Sequence, residues 1–301
     1  MTGQTVDRAF LLRHPLPLPE GEVDKDARGR VIVIGGSREV PGAALLAGLS
    51  ALRAGAGKVQ IATVESRAAA LGIAMPEARV LGLPESEGGD IEASAAQVLL
   101  TRIKQEDAVL LGPGMLDDDV AGDLAAELLS SLDGPHLVVD AAALTGLREK
   151  VGTLKKHSGR SVITPHAGEM ATFLGDQKQA VEADAPGAAR RAAAATGAVV
   201  VMKGTCTHIA SPQGQVWECK HGNVGLATSG SGDTLAGIIA GLLARGAHPL
   251  LAAQWGVYMH GEAGQRLCQS HGLLGYLARE IPFQIPKIMM DLNGRPNELQ
   301  A

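Results

Sequence analysis

The chain has 301 residues, 46% of them hydrophobic and 20% charged, which supplies a substantial core and argues against a disordered chain. Its 27 basic and 32 acidic residues leave a net charge of −5, so there is no electrostatic footprint for nucleic acid. Two Trp, two Tyr and three Phe offer few faces on which bases could stack. Cys206, Cys219 and Cys268 are widely spaced and form no zinc pattern, which suits a reducing cytosol. The N-terminus lacks the basic start and apolar block of a signal peptide, and the longest apolar stretches, 42–52 and 234–244, reach only about half a bilayer span. These features predict a cytoplasmic protein that engages neither nucleic acid nor membrane.

Residues 1–29, with Pro15, Pro17 and Pro19, read as an irregular lead-in, and 30–301 as a single domain. From Arg30 onward, short β-branched runs at 31–34, 58–62, 108–111, 136–139, 161–163 and 199–202 alternate with helical patterns at 42–53, 91–104 and 119–131. That alternation predicts an α/β fold with a central, mostly parallel sheet flanked by helices on both faces. The strands are apolar throughout, as burial on both sides demands. After Met202 the rhythm changes. Residues 208–210 and 215–218 flank a Ser-Pro-Gln-Gly turn and predict a hairpin. Helices follow at 233–245 and 249–267, with a final pair at 273–279 and 286–290.

The most informative stretch runs from Gly222 to Gly237, GNVGLATSGSGDTLAG. Its small residues precede an apolar stripe at Leu235, Ile238, Ile239, Leu242 and Leu243, the spacing of a helix. Gly230, Ser231 and Gly232 can present unpaired main-chain N–H groups at the helix start, where the dipole favours an anion. Asp233 falls beside that anion site. A carboxylate among phosphate oxygens is unfavourable unless it has a task, such as taking the proton of a hydroxyl that attacks phosphorus. Its plainer role is to cap the helix. Gly237 and Gly241 suit close packing of the helix on a sheet. No Walker A loop is present, since Gly57-Lys58 is followed by Val59, and Leu235 stands where a dinucleotide fingerprint needs its third glycine.

With GSGD opening a late helix, the chain resembles the ribokinase-like superfamily, and within it the ADP-dependent (S)-NAD(P)H-hydrate dehydratase family, over roughly residues 30–290. The resemblance is carried by IGGSREVPGAALLAGLSALRAGAGKV (34–59), LLGPGM (110–115), VVDAAAL (138–144), TPHAGE (164–169), KGTCT (203–207), the glycine segment and GVYMHGEAG (256–264). It implies repair of hydrated nicotinamide cofactors: (S)-NADHX and NADPHX are dehydrated to NADH and NADPH, and ADP becomes AMP and phosphate. Phosphorylating the hydrate hydroxyl converts a poor leaving group into a good one. The epimerase domain often fused ahead of this one has no counterpart in the thirty residues before the first strand.

The resemblance also implies roles. Asp233 is the base, and the amides of Gly230, Ser231, Gly232 and Asp233 hold the transferring group. Lys203, Gly204, Thr205, Cys206 and Thr207 bind the nucleotide, with Gly232 close to it. Ala43, Ala44, Gly114, His166 and Asp233 bind the hydrate. Glu169 helps to organise Mg²⁺ through water, and a homo-oligomer, often a tetramer in the family, is expected. Taken alone, Lys203 also reads as a lysine closing a strand, His166 as a helix N-cap and Glu169 as a complement to a helix dipole. His260 and Glu262 lack metal-ligand spacing and read as helix decoration. The chain departs from the family at Ala142, where a second aspartate is common, at Thr145, near a usual asparagine, at Val224, where proline is common, and at Leu116. A small-molecule kinase of the same superfamily and a nucleotide-binding sensor are the competing readings.

Overall fold

Along Arg30–Ile34, Val31 and Val33 join one apolar cluster while Ile32 and Ile34 join another on the opposite face, the period of two imposed on a strand buried on both sides. The same division recurs at Val138 against Leu137 and Val139, and at Val199 and Val201 against Val200 and Met202. The computed structural model describes residues 4–17 and 24–293. In chain order these form β1 (Gln4–Thr5), α1 (Arg8–Arg13), β2 (Arg30–Ile34), α2 (Gly42–Arg53), β3 (Lys58–Val64), α3 (Glu65–Ala74), β4 (Arg79–Leu83), α4 (Ala96–Ile103), β5 (Ala108–Leu111), α5 (Asp118–Ser131), β6 (His136–Val139) and α6 (Ala141–Thr145). There follow α7 (Val151–Lys155), β7 (Ser161–Ile163), α8 (Ala167–Leu174), α9 (Lys178–Ala183), α10 (Ala185–Thr196), β8 (Val199–Met202), β9 (Thr207–Ala210), β10 (Val216–Cys219), α11 (Ser231–Ala244), α12 (Pro249–His271) and α13 (Ile281–Asn293).

The strands make one ten-stranded sheet in the order β1-β10-β9-β8-β7-β6-β5-β2-β3-β4. All pairings are parallel except those of β9 with β8 and β10, the hairpin expected from its turn. The chain winds outward from β2 to β4, then returns to the other side of β2 with β5. Strand order therefore reverses between β2 and β5, and in open α/β sheets the crevice beyond the carboxyl ends at that point is where ligands bind. Helices α2, α11, α12 and α13 cover one face, and α4, α5, α8 and α10 the other. Every residue of α11 from Thr234 to Ala244 is buried, as befits a helix that is apolar all round.

Three expectations need correction. Residues 4–13, read as irregular, form β1, which extends the sheet beside β10, and α1, whose N-terminus is capped by Asp7 accepting from the Phe10 amide at 2.7 Å. Val6, Phe10 and Leu11 are buried there, and both tryptophan indoles are tied to this segment, Trp217 to Gln4 Oε1 at 2.9 Å and Trp255 to the His14 carbonyl at 2.8 Å. An apolar pattern this short carries no readable period. Residues 1–3 and 18–23 of the lead-in and 294–301 at the far end lie outside the described residues. Residues 273–279 form no α-helix, because Gly272 and Gly275 turn the chain with φ of 99° and 103°, and only a 3₁₀ turn follows at Ala278–Glu280.

Gly237 and Gly241 serve helix–helix contact rather than helix–sheet contact. A Cβ at either would overlap a carbonyl oxygen of α2, that of Ala47 or Ala51. Gly237→Ala is expected to lower stability by about 1–3 kcal/mol, although alanine is the better helix former. The midpoint of chemical denaturation checks this, and an unchanged midpoint would mean that the two helices part freely. No helix among the described residues is long and apolar enough to cross a membrane.

Candidate active site

Asp140, Glu169 and Lys203, from the loops beyond β6, β7 and β8, gather beside the N-terminus of α11, while the loops beyond β2 and β5 pack against its neighbour α2. After β5 the chain turns through Gly112 (φ 118°) and Gly114 (φ 72°), conformations that exclude most side chains. A Cβ at Gly112 would strike the Asp140 carbonyl, and one at Gly114 would lie 2.7 Å from Ala43 Cβ. The Gly36 amide, after β2, donates to the Pro113 carbonyl at 2.6 Å, tying the loop after β2 to the loop after β5. Gly230 (φ 87°) rests against Leu46 of α2, since a Cβ there would lie 2.5 Å from Leu46 Cδ1. Ala43, Ala44, Gly114 and the Gly230–Asp233 turn are thus joined through α2.

On the other side of that turn lies a charge cluster. Lys203 Nζ, just beyond β8, sits 3.1 Å from Asp140 Oδ1 and 3.6 Å from Glu169 Oε2. A Cβ at Gly232 would be 3.4 Å from the same nitrogen, which ties the cluster to α11. Thr164 donates its hydroxyl to Asp140 Oδ1 at 2.8 Å. Asp140 has a side chain only 3% exposed, and Lys203 one 19% exposed. Burial works against the ammonium, but Asp140, Glu169 and Asp233 outweigh it and raise the Lys203 pKa. For Asp233 the balance runs the other way. Burial first, then the negative charges of Asp140 and Glu169, push its carboxyl up to about 7 against the opposing pull of Lys203. Ala141, next to Asp140, is the only non-glycine residue with positive φ (51°) among the described residues. That strain, of about 1–2 kcal/mol, lies at the residue following the buried carboxylate.

His166 is the N-cap of α8 and opens a capping box. Its Nδ1 accepts from the Gly168 amide at 2.9 Å and the Glu169 amide at 3.3 Å, while Glu169 Oε2 accepts from the His166 amide at 2.8 Å. Accepting at Nδ1 assigns the proton to Nε2, which lies 3.2 Å from Glu169 Oε1. The capping role and a place in the site are therefore compatible. Burial disfavours the Glu169 carboxylate, yet the His166 hydrogen bond and the Lys203 charge hold its pKa below the ordinary value. Gly204 and Thr205 are exposed and Cys206 and Thr207 half-buried in the turn between β8 and β9. Ala142 is buried in the cluster beneath α6, and Thr145 donates to Asp118 Oδ1 at 2.6 Å. The loop around Val224 is braced without proline: Asn223 Oδ1 accepts from the Gly225 amide at 2.9 Å and the Tyr276 hydroxyl at 2.8 Å.

Two participants were not singled out from the sequence. Asp140 stands within VVDAAAL, and its pairing with Lys203 spans 63 residues. His260, which reads as helix decoration in the sequence, lies with Nε2 3.0 Å from both the hydroxyl and the carbonyl oxygen of Ser231. For a metal, the hard oxygens of Asp140 and Glu169 suit Mg²⁺. However, Lys203, Thr164 and His166 already engage them, and no group of three His, Cys, Asp or Glu among the described residues could cage an ion. That donor set fits a Mg²⁺ that keeps its waters and rests on phosphate oxygens.

The NAD(P)H-hydrate dehydratase family matches residues 31–287. The ADP-dependent (S)-NAD(P)H-hydrate dehydratase of Xanthomonas campestris pv. campestris is 46% identical over 293 residues, 96% of this chain and 98% of that one. Among solved structures, the ADP/ATP-dependent NAD(P)H-hydrate dehydratase of Bacillus subtilis, co-crystallised with ATP and Mg²⁺, superposes with a TM-score of 0.81 at 28% identity, covering 97% of this chain and 99% of that one. A ribokinase-like superfamily protein from Enterococcus faecalis V583 gives 0.82 at 26% identity, covering 96% of each chain. The chain spans about half the length of the bifunctional NAD(P)H-hydrate repair enzymes that it also matches.

Proposed function

Because this chain belongs to the NAD(P)H-hydrate dehydratase family, we propose that it converts (S)-NADHX and (S)-NADPHX to NADH and NADPH, consuming ADP and releasing AMP and phosphate. The observation that carries this reading is Asp233, a half-buried carboxylate whose pKa is pushed up to about 7, set in the first turn of α11 within the field of Asp140, Glu169 and Lys203. In its ionised form Asp233 takes the proton of the hydrate hydroxyl as that oxygen attacks the terminal phosphorus of ADP, and AMP departs. The Ser231 amide already donates to the Thr228 carbonyl at 3.2 Å. The amides of Gly230, Gly232 and Asp233 and the Lys203 ammonium therefore meet the charge on the transferring group, where each preorganised donor is worth about 100- to 1,000-fold. The ring nitrogen lone pair then expels phosphate with its C–O electron pair. Loss of a proton from the adjacent ring carbon restores the double bond.

The loop of Lys203–Thr207 lies at the nucleotide end, and Ala43, Ala44, Gly114 and His166 form the wall for the hydrate. Mg²⁺, entering with the nucleotide and held through water by Glu169 and Asp140, would neutralise phosphoryl charge. The three free cysteines suit a cytoplasmic location. The exposed Leu273, Leu274 and Leu277 offer apolar surface for a homo-oligomer, with a tetramer as the form tested by sedimentation.

Incubating NADH hydrate with ADP and Mg²⁺ tests the reading, since dehydration restores the near-ultraviolet absorbance of NADH. A stable phosphorylated product without that absorbance would identify a kinase instead. The base must be ionised to act, so kcat/KM is expected to rise with pH along an acid limb centred near 7. A rate flat between pH 5.5 and 8.5 would remove Asp233 as the base.

A further inference from the structure

We infer that His260 is a positioning residue for this reaction, fixing Ser231 at the head of α11 so that the Ser231 hydroxyl donates to the transferring phosphoryl group alongside the main-chain amides. The inference rests on the phosphorylation step proposed above. His260 sits on α12, 29 residues from Ser231, with Nε2 3.0 Å from the Ser231 carbonyl oxygen and 3.0 Å from its Oγ. A carbonyl oxygen only accepts, so Nε2 carries the proton and donates to it. The hydroxyl oxygen shares that N–H as an acceptor, which leaves its own proton unused. Ser231 is only 5% exposed, and Oγ has no other hydrogen-bond partner among the described residues. A buried hydroxyl donor without an acceptor is unfavourable, and here it stands at a helix N-terminus suited to an anion.

The Ser231 carbonyl is held a second time, by the Thr234 hydroxyl at 2.7 Å. Further along α12, Gln265 Nε2 donates to the Gly222 carbonyl at 2.8 Å, so one helix anchors the glycine segment at Gly222 and again at Ser231. Burial also pushes the His260 pKa down to about 4, so the ring is neutral at pH 7 and adds no cation to the cluster around Lys203.

The test is steady-state kinetics of hydrate dehydration with ADP for Ser231→Ala, His260→Ala, His260→Gln and the double alanine variant, each checked by thermal denaturation. Ser231→Ala is expected to lower kcat by about 10- to 100-fold, at or below the low end of what one such donor contributes, because the main-chain amides and Lys203 remain. His260→Ala is expected to do the same with KM for ADP changed less than about threefold, and His260→Gln, which keeps an N–H donor, to recover most of the rate. The double variant is expected to be no slower than the slower single one, because both changes remove one device. Wild-type kcat in His260→Ala, a loss confined to KM, or multiplicative losses in the double variant would each overturn the inference. Should His260→Ala fail to fold, the Ser231→Ala and His260→Gln pair carries the test: a tenfold or greater loss in the first with retention in the second supports it, and the reverse overturns it. If the wild-type protein does not dehydrate the hydrate at all, it is the proposed function that fails.

Discussion

Asp233→Asn is expected to give a protein that is more stable than the wild type at pH 8 and at least about 100-fold slower. The two effects share one origin. Burial and the neighbouring Asp140 and Glu169 raise the Asp233 pKa from 3.8 to about 7. Between those values the unfolded chain has already released the proton that the folded protein still holds, so stability falls as pH rises through this window and stays low above it. Asparagine keeps the shape and removes the penalty. The expected gain at pH 8 is about 1–3 kcal/mol, less than the full linkage value because the site admits water. The gain shrinks at pH 5 and vanishes below about pH 4, where both states hold the proton. Denaturation at pH 5 and pH 8 measures it. Equal midpoints for both proteins at both pH values would show that the carboxylate is not held against its preference.

Lys203→Met is expected to act in the opposite direction. The ammonium lies between Asp140 and Glu169 and also attracts Asp233. Without it, Asp140 remains buried with the Thr164 hydroxyl bonded to the oxygen that faced the lysine. Breaking a buried pair by removing one partner typically costs about 3–5 kcal/mol, and the remaining 19% exposure of the Lys203 side chain puts the expected loss near the lower figure. Asp140→Asn in the same protein should recover part of it, because the uncompensated charge disappears. Lys203 also lowers the Asp233 pKa, so the acid limb of the residual rate is expected to move above pH 7. Unchanged stability, or a limb displaced to lower pH, would show that Lys203 does not balance these carboxylates.

The sheet is legible because six of its strands are short runs dominated by aliphatic residues, and three of the helices between them begin or end within a residue or so of their alanine-rich patterns. Arg79–Leu83 lacks that signal, being an edge strand that opens on an exposed arginine, is interrupted by Gly82 and is mostly half-exposed. Residues 4–13 were lost for a different reason, since two residues of strand and six of helix have no period of their own and are held by distant indoles. The false helix at 273–279 shows leucines overruled by two glycines with positive φ.

The same physics divides the site. Glycines, a serine and an aspartate at one helix start are contiguous, so their shared chemistry could be read from a single turn. The Lys203–Asp140 pair and the His260–Ser231 contact join residues 63 and 29 apart, and only the winding of β6, β8, α11 and α12 brings them together. His166 illustrates how two readings can coexist: its Nδ1 caps α8 as a plain N-cap would, while its Nε2 reaches Glu169 within the charge cluster.

In the proposed reaction the hydrate oxygen becomes bonded to phosphorus before it leaves. Preparing NADH hydrate in ¹⁸O-labelled water places the label in the hydroxyl, and mass analysis of the products of one turnover with ADP locates it. Label in the released phosphate is the predicted result. Label in bulk water, with unlabelled phosphate, would mean that the hydroxyl leaves directly and that Asp233 activates no nucleophile.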